Sequence, residues 1–536
     1  MISAVSPHRR YRTLIDEIER RFRIAEWRAS DVDLWPIASQ DLFLDIFRQS
    51  GGDTAGRAPS LAARAASGLA APASNLWKSR HDLGHHLLRP HRADAIFLGD
   101  GVSLDLVGGA WRARFGEPVI AALEQLGRRC FVMEPGNLTR LPWARAIFAA
   151  NRVAARAALT SAFTQGAAPE LPDHPEMVQF LEQSGVAAPS LAIERLARRG
   201  RSVAAQATIF ERILRRVAPA TAFVTTYYAG LGHAFALACR RRGILCVDLQ
   251  HCPHDGTNRA YHWQQLPSRG YSTVPGLFWS WTEGDAASIR SWTSRLGEPW
   301  HNAVQGGHAQ IAGMTESERD ALWRQATAAT ADNRQYEREI LVALQPIGGK
   351  RGVWDALVHQ IASAPQSWRW WIRRHPASTS AQDNDYAALL SLRRPGVVAG
   401  EAAQTPLPAL VAHMDAVISL ASGAAAEAAM FGVPAFFLDD EARDTFPGAV
   451  ARREAKIIEV SALIGAIGRS TKRKSSISVD AVPIEQTLEQ IDRLSRDYAR
   501  LCAGILPFRQ QSTTNSIAAP GSSVSFNRQE PSDASA

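Results

Sequence analysis

Short apolar runs alternate along the chain with longer segments of helical periodicity, and small or polar residues separate the two. The apolar runs have the length and composition of buried strands, and the periodic segments have one apolar face. Strands are predicted at Ala93–Leu98, Arg129–Glu134, Phe223–Thr226, Ile244–Leu249, Glu339–Leu344, Trp368–Ile372, Val397–Ala399, Ala416–Leu420 and Ala435–Leu438. Helices are predicted at Tyr11–Ala29, Glu117–Leu126, Gly230–Arg242, Val353–Ala362, Ala424–Phe431 and Ile484–Leu501.

This alternation predicts parallel sheets that are covered by helices on both faces. The pattern weakens before residue 330 and starts again at Glu339, so we predict an α/β protein with two Rossmann-like, doubly wound domains facing across a cleft. The expected divisions are an N-terminal helical region with a mobile linker (1–75), a first Rossmann-like domain (76–330), a second (331–470), a linker with a final helix (471–506) and a disordered tail (507–536).

Composition and charge favour some classes of function over others. The 536 residues are 46% hydrophobic and 21% charged, with a formal net charge of +8, and the arginines are spread along the chain. This distribution favours a basic cleft or an affinity for anionic membranes over nucleic-acid binding. The five cysteines form no CxxC pair, which is typical of a reduced, cytoplasmic protein. We expect neither a signal peptide nor a membrane-spanning segment, so any membrane contact is expected to be peripheral.

The stretch Ala416–Asp439 combines a predicted strand, a small-residue turn and a helix. Ser419, Ser422 and Gly423 form the turn, and Glu427 lies about one turn inside the helix. Small residues at such a turn let a ligand approach the backbone, and N–H groups at a helix start bind anions. We therefore predict a nucleotide diphosphate here, with Glu427 near its ribose; an ordinary buried strand–helix–strand unit is the alternative.

Two further turns follow predicted strands of the same domain. One contains Gly349 and Lys350, and the other contains Arg374, His375 and Pro376. Because the carboxyl ends of parallel strands open on one crevice, we expect both turns to lie beside the Ser-Gly turn. Cationic side chains beside bare backbone N–H groups are typical of a diphosphate site, although each turn alone is also typical of a solvated edge. Neither a GxxxxGKS/T motif nor GxGxxG after a strand occurs, which disfavours a P-loop ATPase and a dehydrogenase.

The first domain offers acid–base candidates. Asp100, between two glycines at a strand end, is placed to meet a substrate hydroxyl, and a turn-capping role is the alternative. Gln250 and His251 end another predicted strand, and Tyr261 follows. These three residues suit acceptor or sugar recognition, while His251 is also a second candidate base or a structural histidine. The spacing of His251 and His254 matches no metal-ligand motif, so no metal is expected.

Several of these motifs, within residues 93–439, resemble those of GT-B glycosyltransferases that build bacterial surface polysaccharides. The segment VISLASGAAAEAAMFGVPAFFLD is similar to their donor-site segment. Arg374-His375-Pro376 resembles the His-Pro motif that contacts the CMP phosphate in bacterial sialyltransferases and capsule Kdo transferases. Gly99-Asp100-Gly101 is similar to the motif that carries their catalytic aspartate. The run ending in Gln250-His251-Cys252 is similar to a capsule and lipopolysaccharide transferase segment that commonly reads Gln-His-Gly, with cysteine here in place of glycine.

The resemblance implies a cytoplasmic glycosyltransferase that moves a sugar from a nucleotide-activated donor onto a capsule or lipopolysaccharide acceptor. The implied reaction inverts the configuration at the anomeric carbon of the sugar. A base takes the acceptor's proton, and the carboxylate of Asp100 is preferred to the imidazole of His251. Lys350, Arg374, His375 and helix N–H groups stabilise the leaving phosphate without a metal or a cofactor. The first domain is then the acceptor domain and the second the nucleotide-sugar domain.

The partners implied are the nucleotide-sugar donor, the glycan acceptor and, through peripheral contact, the inner membrane or the assembly machinery. Nucleic acid is not expected. Two alternatives stay open: a transferase of glycerol-phosphate type from a CDP-linked donor, which requires the same nucleotide site, and a non-catalytic sugar- or nucleotide-binding subunit of polysaccharide assembly.

Overall fold

The structure, a computed structural model, describes residues 7–49, 90–135, 142–161, 168–254, 258–330, 332, 334–345, 351–376, 387–471 and 482–504. Several sequence predictions fall outside these residues. They are most of the mobile linker before residue 76, the turn with Gly349 and Lys350, the linker at 472–481 and the tail after residue 506.

The strands and helices alternate along the chain. The strands are β1 Arg28–Ala29, β2 Val32–Asp33, β3 Ala95–Leu98, β4 Leu104–Val107, β5 Ala110–Ala113, β6 Cys130–Glu134, β7 Phe148–Ala149, β8 Thr221–Thr225, β9 Leu245–Leu249, β10 Leu277–Ser280, β11 Asn302–Gln305, β12 Arg338–Ala343, β13 Trp368–Arg373, β14 Val397–Val398, β15 Ala416–Ser419, β16 Ala435–Phe437 and β17 Ala455–Ile457. The helices are α1 Pro7–Arg21, α2 Trp35–Gln49, α3 Gly116–Gln125, α4 Asn151–Ser161, α5 His174–Gln183, α6 Ile193–Val217, α7 Gly232–Arg242, α8 Glu283–Thr293, α9 Ala309–Ala312, α10 Glu316–Ala328, α11 Arg351–Ser363, α12 Ala387–Leu390, α13 Leu407–Val411, α14 Ala424–Met430, α15 Ala442–Thr445, α16 Pro447–Ala451, α17 Leu463–Arg469 and α18 Ile484–Ala503. Among the described helices, none is both long enough and apolar enough to cross a bilayer.

Two parallel sheets form the centres of two domains. The first has the order β7-β6-β3-β8-β9-β10-β11 and the second the order β14-β13-β12-β15-β16-β17. In both, the first strand is central, the next two extend the sheet on one side, and the later strands extend it on the other. This is the Rossmann order, and it confirms the predicted fold class of two doubly wound α/β domains. The chain adds strands first on one side of the starting strand and then on the other, and this change lies between β3 and β8 in the first sheet and between β12 and β15 in the second. Open α/β sheets bind ligands at this point.

The elements that the sequence predicted are all present in the structure. All nine predicted strands are present, with ends within two residues of those expected. Their side chains are buried on both faces, so they read as continuous apolar runs. The prediction of the first helix, Tyr11–Ala29, is wrong at its C-terminal end. The helix stops at Arg21, since residues 28–33 form a hairpin in which Arg28–Ala29 pairs with Val32–Asp33 and the chain reverses at Ser30 (φ 59°). The hairpin of β4 and β5, the strands β10 and β11 and the helix α6 were not predicted.

Helices α1 and α2 belong to the core of the first sheet rather than to a separate unit. Ile15 of α1 and Trp35 of α2 are fully buried in one apolar cluster with Ile96 of β3. Helix α10 instead packs on the second sheet, where the ring of Trp323 lies 5.1 Å from that of Trp371. Helix α10 therefore packs with the second sheet, and so does Ile311 of the preceding helix α9.

The final helix, α18, returns to the first domain after the second sheet is complete. Leu488 and Ile491 are buried against residues of β9 and β10. Asp492 pairs with Arg128, and the hydroxyl of Ser495 lies 2.8 Å from that of Thr221. This helix therefore closes the apolar layer on one face of the first sheet.

Ile491→Ala should lower the free energy of unfolding by roughly 2–5 kcal/mol, because it leaves a cavity where a fully buried side chain packs. Urea unfolding measures this loss. The neighbouring change Gln490→Ala, at an exposed position of the same helix, is the control and should have little effect. Equal stabilities of the two variants would contradict the docking of α18 on the first domain.

Candidate functional site

The carboxyl-terminal edges of the two sheets face each other across a cleft between the domains. His375, in the turn after β13, lies within electrostatic range of Asp100, in the turn after β3, and of His251, after β9. The Nε2 atom of His308, after β11, lies 3.7 Å from the Oε2 atom of Glu427 on α14. Turns that follow strands of both sheets thus meet at the edge where open α/β sheets bind ligands.

Two arginines from different domains are buried close together in this cleft, and we call Arg114 and Arg373 the arginine pair. Arg114 follows β5, and its side chain, 9% exposed, donates from Nη2 to Oδ1 of Asp105 over 2.9 Å. Arg373 ends β13 and donates from Nη1 to the carbonyl oxygens of Ala403 (2.8 Å) and Thr405 (2.6 Å). Burial lowers the pKa of Arg373 to about 10, and the charge of Arg114 adds to this effect, so both stay cationic at neutral pH. Like charges held out of water favour an anionic ligand between them.

The predicted Arg-His-Pro turn adds a histidine to these cations. Burial lowers the pKa of His375 to about 4, and the charges of Arg114 and Arg373 act in the same direction. The imidazole is therefore neutral at pH 7 and can donate one N–H. Arg374 is exposed and Pro376 is half-buried, so the structure places Arg373, not Arg374, among the buried cations. The difference arises because Arg373 is the last residue of the buried strand β13, whereas Arg374 lies beyond its end.

Glu427, in the first turn of α14, belongs to the same cluster. Burial raises the pKa of Glu427 to about 7, and the charges of Arg114 and Arg373 oppose the rise. Its Oε2 atom and the Nε2 atom of His308 both lack a hydrogen-bond partner among the described residues, and 3.7 Å between them is too long for a direct bond. Burial lowers the pKa of His308 to about 3, so the two form no ion pair at neutral pH. An oxygen atom cannot lie directly between two atoms this close, so a hydroxyl group that bonds both must lie beside them.

Serine oxygen atoms accept hydrogen bonds that hold the turn before α14. The Oγ atom of the fully buried Ser419 accepts the backbone N–H of Ser422 over 3.2 Å. A Cβ atom added to Gly423 would meet no described atom within 4 Å, so this face of the turn is not packed against the described residues. The side chain of Gln345, after β12, donates to the carbonyl of Ala421 and ties the ends of β12 and β15 together.

Asp100 is bound by its own turn. Its Oδ1 accepts the backbone N–H groups of Val102 (2.8 Å) and Ser103 (2.7 Å), and its Oδ2 accepts the hydroxyls of Ser103 (2.8 Å) and Thr226 (3.1 Å). Thr226 follows β8 and has a φ of 57°, a left-handed conformation that a β-branched residue rarely adopts. Such strain costs on the order of 1–3 kcal/mol and is concentrated at functional sites. An acceptor hydroxyl must replace one of these donors to reach the Asp100 carboxylate.

A second carboxyl group, which was not predicted, lies beneath this turn. Glu134 ends β6, next to β3, is 1% exposed, and accepts the N–H of Gly101 at Oε2 over 3.2 Å. A Cβ atom at Gly99 would overlap this carboxyl, so a larger residue there would require the Glu134 side chain to move. Burial raises the pKa of Glu134 to about 8, and the charge of Asp100 adds to the rise, so the group is largely protonated at neutral pH. A neutral acid and a carboxylate therefore lie together at this edge.

His251 lies on the same side of the cleft as Asp100. Its Nε2 atom is 3.0 Å from the hydroxyl of Tyr228, while its buried Nδ1 atom has no partner among the described residues. Burial lowers the pKa of His251 to about 4, although the charge of Asp100 opposes this. Cys252, which stands where similar segments have glycine, lines with Tyr228 and Phe446 a cavity of about 230 Å³ between the domains.

The other two predicted recognition residues lie behind His251. Gln250 is 2% exposed, and its Oε1 accepts the backbone N–H of Trp281. Tyr261 is fully buried and donates its hydroxyl to Oδ2 of Asp248 over 3.0 Å. Both residues therefore contribute to the wall of the cleft, and their predicted recognition roles stay predictions.

Four residues of the cleft escaped prediction for two different reasons. Glu134 and Thr226 lie at the ends of predicted strands, so the reasoning that selected Asp100 also applies to them. Arg114 and His308 follow β5 and β11, which were not predicted, and nothing in their local sequence indicates a site. Within the described ranges, no three histidine, cysteine or acidic side chains are grouped so that they could hold a metal ion.

No protein-family model and no curated protein matches this chain. Among solved structures, the UDP-GlcNAc 2-epimerase of Neisseria meningitidis, bound to UDP-GlcNAc, is 14% identical over 75% of this chain and 99% of its own, with a TM-score of 0.46. The wall teichoic acid polymerase TagF is 10% identical over 81% and 97%, with a TM-score of 0.44. The glycosyltransferase SnogD of Streptomyces nogalater is 15% identical over 78% and 99%, with a TM-score of 0.34. At these scores the likenesses assign no function, and the fold class follows from this chain's own strand order.

Glu134→Gln should remove part of the pH dependence of stability. The pKa of Glu134 is about 8 in the folded protein against an ordinary value of 4.5, so only the unfolded state loses this proton as pH rises between them. The free energy of unfolding of the wild type therefore falls across that window, by on the order of 1.4 kcal/mol per pH unit for this group. Urea unfolding at about pH 5 and about pH 8 should show a smaller fall for the amide variant.

The matched control is Glu298→Gln, at an exposed position, which should follow the wild-type curve. If the curves of Glu134→Gln and the wild type run parallel, Glu134 is not protonated in the folded protein.

Proposed function

We propose that this chain is a glycosyltransferase that moves a sugar from a nucleotide-activated donor onto a glycan acceptor. The observation that carries the proposal is the arginine pair, two buried cations contributed by the two domains at facing sheet edges. A diphosphate between Arg114 and Arg373 would offset their repulsion and join the domains. The sequence resemblance alone supports a capsule or lipopolysaccharide acceptor, a cytoplasmic location and contact with the inner membrane.

On the donor side, the second domain supplies most of the contacts. His375 donates its N–H to a phosphate oxygen, beside the backbone of Ser422 and Gly423. Glu427 and His308 share a ribose or sugar hydroxyl, which supplies the partner that both buried atoms lack. The remaining donor contacts of the proposal are the predicted turn residues Gly349, Lys350, Arg374 and Pro376.

On the acceptor side, Asp100 acts as the base. An acceptor hydroxyl replaces Thr226 at Oδ2 and gives its proton to Asp100, while the acceptor oxygen forms a bond to the anomeric carbon of the sugar. The bond from that carbon to the phosphate oxygen breaks on the opposite face, so the configuration inverts. The electron pair stays on the nucleotide phosphate, where the arginine pair and His375 stabilise the charge.

His375→Ala should weaken the binding of the donor nucleotide about tenfold or more, because a hydrogen bond to a charged phosphate contributes roughly 1.5–3 kcal/mol. Calorimetry with CMP, UDP and GDP measures this effect and identifies the nucleobase that the site prefers. His359→Ala, at an exposed position of α11, is the control and should bind like the wild type. Equal affinities of all three proteins would contradict the donor site, and no binding of any nucleotide by the wild type would contradict the function.

Asp100→Asn should reduce kcat by about 10²–10⁴ while nucleotide affinity persists, because the amide keeps the shape of the turn but cannot accept a proton. Turnover is followed by the nucleotide released, and the product is analysed for phosphate. Phosphate in the product would indicate a glycerol-phosphate type transferase, and an absence of turnover would indicate a non-catalytic binding subunit. If Asp100→Asn is nearly as active as the wild type and His251→Ala is inactive, the base is His251.

A further inference from the structure

A groove of about 780 Å³ lies between α4 and α6 of the first domain, and none of its lining residues belongs to the cleft. We call it the arginine groove, because every charged residue that lines it is an arginine. Its walls are formed by Arg152, Arg156, Arg212 and Arg216. Its apolar lining comes from Phe148, Val153, Leu159, Ile209 and Ile213.

The charges of the groove are not balanced by acidic residues. Within the described part of the chain, none of the four arginines pairs with a carboxylate, and no acidic side chain lines the groove. Arg241, on the adjoining helix α7, is by contrast paired with both Asp31 and Glu211. Each wall of the groove also carries two arginines four residues apart on one helix face, a spacing at which like charges repel. This arrangement is unfavourable in the free protein and is relieved by an anion.

The apolar lining of the groove reaches the surface. Leu159 is 55% exposed at its edge, whereas Ile209 and Ile213 are buried beneath. A second cavity of about 310 Å³ adjoins the groove along α6, shares Ile209 and Arg212 with it, and adds Arg201 and small residues such as Ala204. An apolar furrow rimmed by arginines therefore runs along α6.

We propose that the arginine groove binds the surface of a membrane that contains anionic lipid. Its guanidinium groups bind the lipid phosphates. Leu159 and the apolar lining of the furrow contact the adjacent part of the acyl chains. The charge of the rim is complementary to an anionic leaflet, and the apolar lining is complementary to the acyl chains of its lipids. Single-stranded nucleic acid is disfavoured, because its recognition uses exposed aromatic platforms and Phe148 is 8% exposed.

The test is flotation of the full chain with vesicles of phosphatidylcholine alone and of phosphatidylcholine mixed with an equal part of phosphatidylglycerol. The wild type should bind the mixed vesicles only, and less strongly as salt is added. The double variant Arg212→Glu with Arg216→Glu should bind at least about tenfold more weakly. Its control is Arg195→Glu with Arg198→Glu, which makes the same change of charge at exposed positions of α6 outside the groove and should bind like the wild type.

The remaining outcomes overturn the proposal. Equal losses in the two double variants would mean that overall charge, and not the groove, determines binding. Release of the wild type by inorganic phosphate at unchanged ionic strength would identify a free-anion site. Absence of binding to the mixed vesicles, with a changed melting temperature in the groove variant alone, would mean that another segment of the chain occupies the groove. The assay requires no catalytic activity, so its result is independent of the proposed function.

Discussion

Two positive charges, buried on opposite sides of one cleft, are the constraint on which the candidate site depends. Asp105 holds Arg114, and two backbone carbonyl groups hold Arg373, so neither guanidinium is free to turn toward solvent. The neighbouring groups respond to this field. It helps to keep His375 neutral, and it opposes the rise in the pKa of Glu427. Asp105 compensates the charge of Arg114, whereas the carbonyl groups that hold Arg373 are neutral.

The first domain also contributes two neighbouring carboxyl groups to the cleft. Burial raises the pKa of Glu134, which lies beneath Asp100, and the charge of Asp100 adds to the rise, so Glu134 is largely protonated at neutral pH. The strained backbone of Thr226 holds a hydroxyl on the Asp100 carboxylate. In the proposed reaction a base takes a proton while cations stabilise the negative charge that develops, and the cleft contains both kinds of group.

The sheets and part of the site were predictable because both depend on local sequence. Strands buried on both faces give continuous apolar runs; Asp100 and His375 come shortly after such runs, and Ser419 ends one. The hairpin of β4 and β5 is short and partly exposed, so it lacks that signal. The places of Arg114 and His308 depend on how the two domains face each other, which no local pattern encodes. The sequence therefore predicts which edge carries the site but not which side chains complete it from across the cleft.

The docking of α18 on the first domain means that the chain passes between the domains twice. In topological terms, the second domain is an insertion within the first, with both of its ends attached to the same neighbour. A domain attached by one connection can swing and twist in many directions, whereas one attached by two can turn easily only about the line that joins them. Two connections therefore restrict the orientations that the second domain can take relative to the first, and with them the relative positions of the arginine pair.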